Sequence, residues 1–184
     1  LKGITGFLNR RNEDYVILCD CDGVYRMDFT EVIDYHEEKQ ADITIVCHTE
    51  EISNSDYYTV VDVDKNNRVS DLKINEKIAG RSHFYSNIMV IGRSFLLSII
   101  NDAIARGYNS FREDVIMKNL RSLKVYAYDF EGYYATIDSF RSYYKHNMEL
   151  LDKSVRDELF GTRDIYTKVR DSAPSKYGDD AILR

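Results

Sequence analysis

The order of hydrophobic and polar positions predicts a chain in which strands and helices alternate. Tyr15–Cys21 begins with an almost continuous apolar run, which is typical of a strand buried on both faces. Asp28 opens a helical pattern whose start resembles a capping box, and Ala41–Cys47 predicts a second buried strand. This strand–helix–strand order predicts that the two strands are parallel neighbours joined by a right-handed crossover.

The middle of the chain predicts a hairpin, a long strand and a helix. Turn residues separate the strand patterns Tyr57–Val63 and Arg68–Ile74, which is the signature of a hairpin. An apolar strand is expected over Phe84–Ile91, followed by a helix from about Ser94 that ends at Gly107. Further along the chain we expect a short helix over Ser110–Leu120, a strand over Lys124–Phe130 and a helix over Ser139–Leu151.

The last of these helices is predicted to be amphipathic. Phe140, Tyr143, Tyr144 and Met148 recur at the spacing that places side chains on one face of a helix. Such a face normally packs against the rest of the protein. Asp138 is the expected N-cap of this helix, because aspartate accepts hydrogen bonds from the first free backbone N–H groups.

Composition restricts the class of protein. Of 184 residues, 43% are hydrophobic and 30% are charged, which is typical of a globular domain. The net charge of −6 gives no indication of a nucleic-acid groove or of an anionic membrane surface as partner. No apolar run approaches the roughly 20 residues of a membrane span, and the N-terminus does not resemble a signal peptide. We therefore expect a cytoplasmic protein with no nucleic-acid or membrane partner.

The three cysteines are expected to be reduced thiols. Cys19, Cys21 and Cys47 all lie in apolar segments, and an odd set that looks buried argues against a disulfide framework. A zinc site is the alternative, with His48 as a further ligand. It is disfavoured because Cys47 and His48 are adjacent on a strand and would point to opposite faces.

The strongest candidate chemistry lies where the first strand ends, at Asp20 and Asp22. An apolar strand followed by Asp-x-Asp-Gly-Val resembles the first motif of haloacid-dehalogenase-type phosphatases, with Gly178–Asp180 as a magnesium-binding candidate. A second interpretation is a nucleotidyltransferase in which Asp22 holds a divalent metal between phosphates. In a third interpretation both carboxylates only end the strand and bond to local backbone.

The residues around this motif resemble those of bacterial glucose-1-phosphate adenylyltransferases, also called ADP-glucose pyrophosphorylases. Asp22–Phe29 is similar to the family run Gly-Asp-His followed by Tyr-Lys-Met-Asp-Tyr. Similarity continues in the same order over nearly the whole chain, in Phe111-Arg-Glu-Asp114, Val125-Tyr-Ala-Tyr128, Gly132-Tyr133 and Asn147-Met-Glu-Leu-Leu151.

The resemblance implies a fold and a reaction. The implied fold is α/β, with a mixed, mainly parallel sheet and helices on both faces, as in nucleotide-diphospho-sugar transferases. Residues 1–151 would be the C-terminal portion of that domain, without its N-terminal part, and residues 152–184 a connector toward a left-handed β-helix. The implied reaction joins ATP and glucose 1-phosphate to give ADP-glucose and pyrophosphate, with Mg²⁺ as cofactor, in glycogen biosynthesis.

Departures from the family pattern fall at its metal site. Asp22 matches the first metal-binding carboxylate, but the second one, expected after Gly-Tyr-Trp and a basic residue, is Thr136. The family histidine next to Asp22 is Gly23, and the glycine-rich loop that cradles a triphosphate has no counterpart. We therefore expect a vestigial site at Asp22, with magnesium bound weakly or not at all.

The substrate-binding positions are also altered. The lysine of the family Glu-Glu-Lys-Pro motif falls on Asn75, so Lys77 could replace it only if the loop shifts, and Asp114 is the other expected substrate-binding residue. These departures resemble the regulatory, GlgD-type subunits of the family. Such a subunit is expected to be inactive alone and to form hetero-oligomers with catalytic subunits, and the chain is also expected to self-associate. A catalytically competent transferase is the alternative.

Overall fold

A computed structural model of the chain describes residues 2–52, 57–77 and 80–161. These residues form two compact units, the larger from the described parts of Leu1–Asp20 and Asp28–Glu131, the smaller from those of Cys21–Met27 and Gly132–Arg184. In chain order the elements are α1 (Thr5–Leu8), β1 (Tyr15–Cys19), β2 (Gly23–Tyr25), α2 (Phe29–Glu38), β3 (Ile43–Ile52), β4 (Tyr57–Val63), β5 (Val69–Lys77), β6 (Gly80–Gly92), α3 (Arg93–Arg106), a π-helical segment (Phe111–Met117), β7 (Val125–Asp129), β8 (Tyr134–Thr136), α4 (Phe140–Glu149) and α5 (Lys153–Phe160). No described helix is long and apolar enough to cross a bilayer.

The larger unit is built on a six-stranded mixed sheet. Its strand order is β5-β4-β6-β3-β7, and β1 pairs with β6 as well. Strands β1, β3 and β4 each pair antiparallel with β6, β5 pairs antiparallel with β4, and β3 and β7 are parallel. Four strands, β1, β3, β4 and β7, therefore point in one direction and two in the other. The predicted α/β class and mixed sheet are confirmed, as is the hairpin of β4 and β5.

The prediction that the strands of Tyr15 and Ala41 are neighbours is wrong. Strands β1 and β3 run in the same direction, but β6 lies between them and forms hydrogen bonds with both. Val90 and Ile91 of β6 are fully buried, whereas the residues of β1 are only half-buried or exposed. Strand β6 can occupy this central place because its C-terminal part is buried on both faces, and chain order alone does not reveal this.

Helices cover both faces of this sheet, as predicted. The Nδ1 atom of buried His36, on α2, lies 2.8 Å from the hydroxyl oxygen of Thr44 on β3. Ile43 and Ile45, which flank Thr44, belong instead to the core that contains Leu96 of α3. Since successive side chains of a strand point to opposite faces, α2 and α3 must lie on opposite sides of β3.

Helix ends follow local capping chemistry. Asp28 caps α2 by accepting a hydrogen bond from the Thr30 N–H at 3.0 Å. Helix α3 is followed by Gly107 in the left-handed conformation, with φ of 69°, as predicted. The N-cap of α4 is Ser139, so the prediction of Asp138 is wrong. Ser139 and Ser142 form a reciprocal capping box, with each hydroxyl accepting from the other residue's backbone N–H.

The smaller unit contains the predicted amphipathic helix, α4, but its apolar face is not buried. Phe140 is 85% exposed and Tyr144 is 62% exposed, and Tyr143 and Met148 are exposed too. The periodicity therefore located the helix correctly, and its apolar face is exposed among the described residues. Self-association of the chain stays a prediction. Helix α5 lies in the segment expected to be a connector, and residues 162–184 lie outside the described part.

Candidate functional site

Two short strands of the smaller unit bring Asp22 and Thr136 together. Strands β2 and β8 pair antiparallel, with Gly23 opposite Thr136. The Ile137 N–H donates to the Asp22 carbonyl oxygen at 2.8 Å, so the backbones of Asp22 and Thr136 are adjacent. At the other end of the ladder the rings of Tyr25 and Tyr134 stack, with centroids 5.8 Å apart. This stacking favours the register that sets Thr136 against Gly23.

The chemistry available at this ladder is one carboxylate and one hydroxyl. Asp22 and Thr136 are both half-buried. In the part of the chain that the structure describes, no three His, Cys, Asp or Glu residues form a group suited to a metal ion. Magnesium in proteins is held by carboxylates together with substrate phosphates, and a neutral hydroxyl is a poor substitute for a charged ligand. The residues present therefore do not fit a two-carboxylate magnesium site, and weak magnesium binding stays a prediction.

The other acidic candidates are placed as follows. Asp20 is exposed just beyond β1 in the larger unit, and its N–H donates to the Asn87 carbonyl oxygen at 3.3 Å. Asp138 is exposed just before α4, and its N–H donates to the Ser142 hydroxyl at 3.1 Å. Gly178–Asp180 lies outside the described residues.

Lys77, the candidate for binding sugar phosphate, is the last residue of β5, where it pairs with Tyr57. Its side chain lies outside the described part of the structure. Its substrate-binding role therefore stays a prediction.

The Asp114 carboxylate binds backbone N–H groups at the start of the π-helical segment in which it lies. One of its carboxylate oxygens accepts from the N–H groups of Asn109 and Ser110, at 2.9 and 3.0 Å, and the other accepts from Lys118 Nζ at 2.6 Å. The Lys118 ammonium and the two backbone donors lower the pKa of Asp114 from 3.8 to about 2. These contacts account for Asp114 as a structural residue, and its substrate-binding role stays a prediction.

This lowered pKa predicts an acid-sensitive segment. Because the Asp114 pKa is lower in the folded chain than in the unfolded chain, its stabilising effect is complete above about pH 4 and is lost as pH falls toward about 2. Asp114→Asn should lower the melting temperature at pH 6 and weaken its dependence on pH over this window. Circular dichroism melts from pH 2 to 6 test this, with Asp102→Asn, which removes an exposed Arg106 pair, as control. Parallel curves for Asp114→Asn and the unmodified chain would contradict it.

The cysteines do not form the uniformly buried set that was expected. Cys47 is buried in β3, and burial raises the pKa of its thiol well above the usual value. Cys19 and Cys21 are exposed, and all three are free thiols. The two exposed cysteines lie at and just beyond the last residue of β1. The apolar run before them predicts burial within the strand, but that burial does not extend to its end.

Sequence reasoning missed a basic residue near the end of β1. Arg112, in the π-helical segment, donates from Nη1 to the Thr59 hydroxyl at 3.1 Å and to the Asn87 side-chain oxygen at 3.3 Å. Asn87 interrupts the apolar strand β6 and has a left-handed backbone, with φ of 55°. An asparagine within an otherwise apolar strand was the available signal, because asparagine tolerates this conformation.

Comparisons with known proteins agree on one family. The model of the family described as "Nucleotidyl transferase" matches residues 2–153. The glucose-1-phosphate adenylyltransferase of Thermosipho melanesiensis is 29% identical over 97% of this chain and 44% of its own length. That of Thermotoga maritima is 32% identical over 79% of this chain and 35% of its own. The chain thus spans less than half the length of these curated relatives.

A solved structure supports the fold. The crystal structure of HddC from Yersinia pseudotuberculosis superimposes with a TM-score of 0.63 and covers 81% of this chain and 61% of HddC. At 18% identity, this similarity concerns the fold alone.

Proposed function

The chain belongs to the nucleotidyl transferase family, and from this premise we propose that it is part of a regulatory subunit of glucose-1-phosphate adenylyltransferase. The relatives that carry this name support ATP and glucose 1-phosphate as the substrates of the complex and ADP-glucose as its product. In this proposal the subunit assembles with catalytic subunits into a hetero-oligomer in glycogen biosynthesis. In the same proposal its own site keeps the family's position in the fold but not its charge.

The observation that carries the proposal is the place of Thr136. It stands opposite Gly23 and beside Asp22, where the resemblance calls for a second carboxylate. Nucleotidyl transfer builds negative charge on the pyrophosphate leaving group, and enzymes stabilise it with preorganised cations. A single carboxylate beside a neutral hydroxyl holds such a cation weakly. The fold is therefore retained while the means of stabilising the leaving group is lost.

A competent transferase is the second candidate, because Asp22 is retained and Asp138 lies only two residues beyond Thr136. In that case Asp138 would have to supply the missing carboxylate. Against this, the Asp138 backbone is held at the start of α4 by its hydrogen bond to Ser142. The phosphatase interpretation of Asp20 and Asp22 is disfavoured, because the family match covers residues 2–153 and includes both residues.

Reconstitution with a catalytic subunit tests the proposal. The chain, or the longest product of its gene, is coexpressed with a catalytic glucose-1-phosphate adenylyltransferase subunit, and ADP-glucose formation is measured on the purified complex. We expect the two proteins to copurify. Asp22→Asn in this chain should leave turnover per catalytic subunit unchanged, because the site containing Asp22 does not carry the reaction.

The matched control is the equivalent Asp→Asn change in the catalytic subunit, which should reduce turnover on the order of 100-fold or more. A large loss of turnover on Asp22→Asn in this chain would establish the competent-enzyme alternative. Failure of the two proteins to associate under any condition would remove the regulatory proposal.

A further inference from the structure

We propose that Arg112 is an anion-binding residue that takes the phosphate group of a sugar phosphate at the carboxyl end of β1. The class of ligand rests on the proposed function, whereas the anion site rests on the geometry of the larger unit alone. No role for this residue follows from the family pattern, because the corresponding position in the motif that resembles Phe111–Asp114 is a glycine.

The first argument is that the Arg112 charge has no counter-ion among the described residues. Its two hydrogen-bond partners, the Thr59 hydroxyl and the Asn87 side-chain oxygen, are neutral. None of the ion pairs in the described residues involves Arg112. Arg112 is half-buried and stays positively charged, since arginine cannot lose its proton in a protein, so an anion that reaches the guanidinium would be its first charged partner among the described residues.

The second argument is the geometry of the unused donors. Both hydrogen bonds leave from Nη1, so Nε and Nη2 donate to no described group. Among the described residues, only Arg26 Nη1 is a polar side-chain atom that is fully buried without a hydrogen bond. The Nε and Nη2 atoms of Arg112 have no partner either, so they are not fully buried and can be reached from solvent. These two N–H groups form the fork that binds two oxygens of one phosphate or carboxylate.

The third argument is position. Asn87 holds Arg112 through its side chain, and its carbonyl oxygen accepts the N–H of Asp20 immediately after β1. The left-handed backbone of Asn87 allows one residue to make both contacts. Thr59, on β4, is buried and accepts a second hydrogen bond from the same Nη1 atom. In α/β sheets, ligands often bind beyond the carboxyl ends of strands, and Asn87, which holds the guanidinium, lies next to the carboxyl end of β1.

The alternative is that Arg112 only ties the π-helical segment to β4 and β6. The two roles differ in what they predict for binding. A tie contributes to stability whether or not phosphate is present, whereas an anion site makes phosphate affinity depend on Arg112 and makes phosphate stabilise the chain.

Isothermal titration calorimetry of the chain with glucose 1-phosphate and with inorganic phosphate tests the proposal. Arg112→Ala should weaken glucose 1-phosphate binding by about 10- to 100-fold, the range for loss of charge-assisted hydrogen bonds. Arg112→Lys keeps the charge without the fork, so its affinity for glucose 1-phosphate should lie between those of the unmodified chain and Arg112→Ala. It replaces Arg112→Ala as the test variant if the alanine variant does not fold. Arg121→Ala, which removes an exposed arginine from the next stretch of chain, should leave binding unchanged.

The outcomes separate the two proposals. Arg112-dependent binding of glucose 1-phosphate, tighter than that of inorganic phosphate, supports both. Arg112-dependent binding of phosphate with no preference for the sugar phosphate supports the anion site and counts against the proposed function. Binding that is equal in the unmodified chain, Arg112→Ala and Arg112→Lys overturns the anion site, as does the absence of any measurable binding.

Discussion

Replacing Phe84 with alanine is expected to lower the free energy of unfolding by about 3–5 kcal/mol, the range for deleting a fully buried aromatic side chain. Phe84, on β6, is only 1% exposed. Its ring centroid lies 4.8 Å from that of Tyr58 and 5.8 Å from that of His48, and buried Val60 belongs to the same cluster. The substitution would remove these contacts and leave a cavity at the junction of β3, β4 and β6. Urea denaturation followed by circular dichroism measures the change.

The matched control is Phe140→Ala, because Phe140 is 85% exposed at the start of α4. Removing an exposed ring should change stability by no more than about 0.5 kcal/mol. A small loss for Phe84→Ala, or a loss of similar size for Phe140→Ala, would mean that the burial of these two aromatic residues differs from the one described. The second result would also indicate that α4 is covered in solution.

Local signals predicted local structure well. The hairpin of β4 and β5 and the end of α3 at Gly107 were predicted correctly, because turn residues and a left-handed glycine act within a few positions. Ser139 in place of Asp138 as the N-cap of α4 is an error of one residue between two good capping residues. Propensity cannot separate such neighbours, since the choice depends on which side-chain oxygen meets the free backbone N–H two or three residues on.

Long-range order was harder to predict. Nothing in the strand–helix–strand pattern from Tyr15 to Cys47 reveals that β6, which comes later in the chain, inserts between β1 and β3. That position depends on which strand gains most from burial on both faces, a property of the whole sheet. The exposed face of α4 has a similar cause, because periodicity shows that a face is apolar but not what it packs against.

For the candidate site, sequence and structure contribute different residues. The resemblance aligned Asp22 and Thr136 with two metal-binding positions, and the pairing of Gly23 with Thr136 brings their backbones together, while their role in metal binding stays a prediction. Arg112 could not be found in this way, because its position carries glycine in the family motif. Its placement depends on Asn87, whose left-handed backbone is a tertiary feature within an otherwise regular strand.

The last prediction concerns the charge at this ladder. Thr136→Asp should raise the affinity for Mg²⁺ by on the order of tenfold or more, because a second carboxylate beside Asp22 increases the charge of the ligand set. Calorimetry should show at most millimolar affinity in the unmodified chain. Pyrophosphate release from ATP and glucose 1-phosphate should remain undetectable in both forms. Loss of a preorganised stabilising group typically costs about 100- to 1000-fold, and a carboxylate that raises metal affinity about tenfold does not recover such a loss.

Two control variants distinguish charge from shape. Thr136→Asn introduces a neutral side chain of similar size, so it should leave Mg²⁺ affinity unchanged, and Asp22→Asn combined with Thr136→Asp should remove the gain. Aspartate is unfavourable in strands by up to about 1 kcal/mol, so a melting curve must first show that Thr136→Asp is folded. Micromolar Mg²⁺ affinity or measurable turnover in the unmodified chain would contradict the prediction. Either result would favour Asp138 as the second carboxylate, in the role that Thr136 cannot fill.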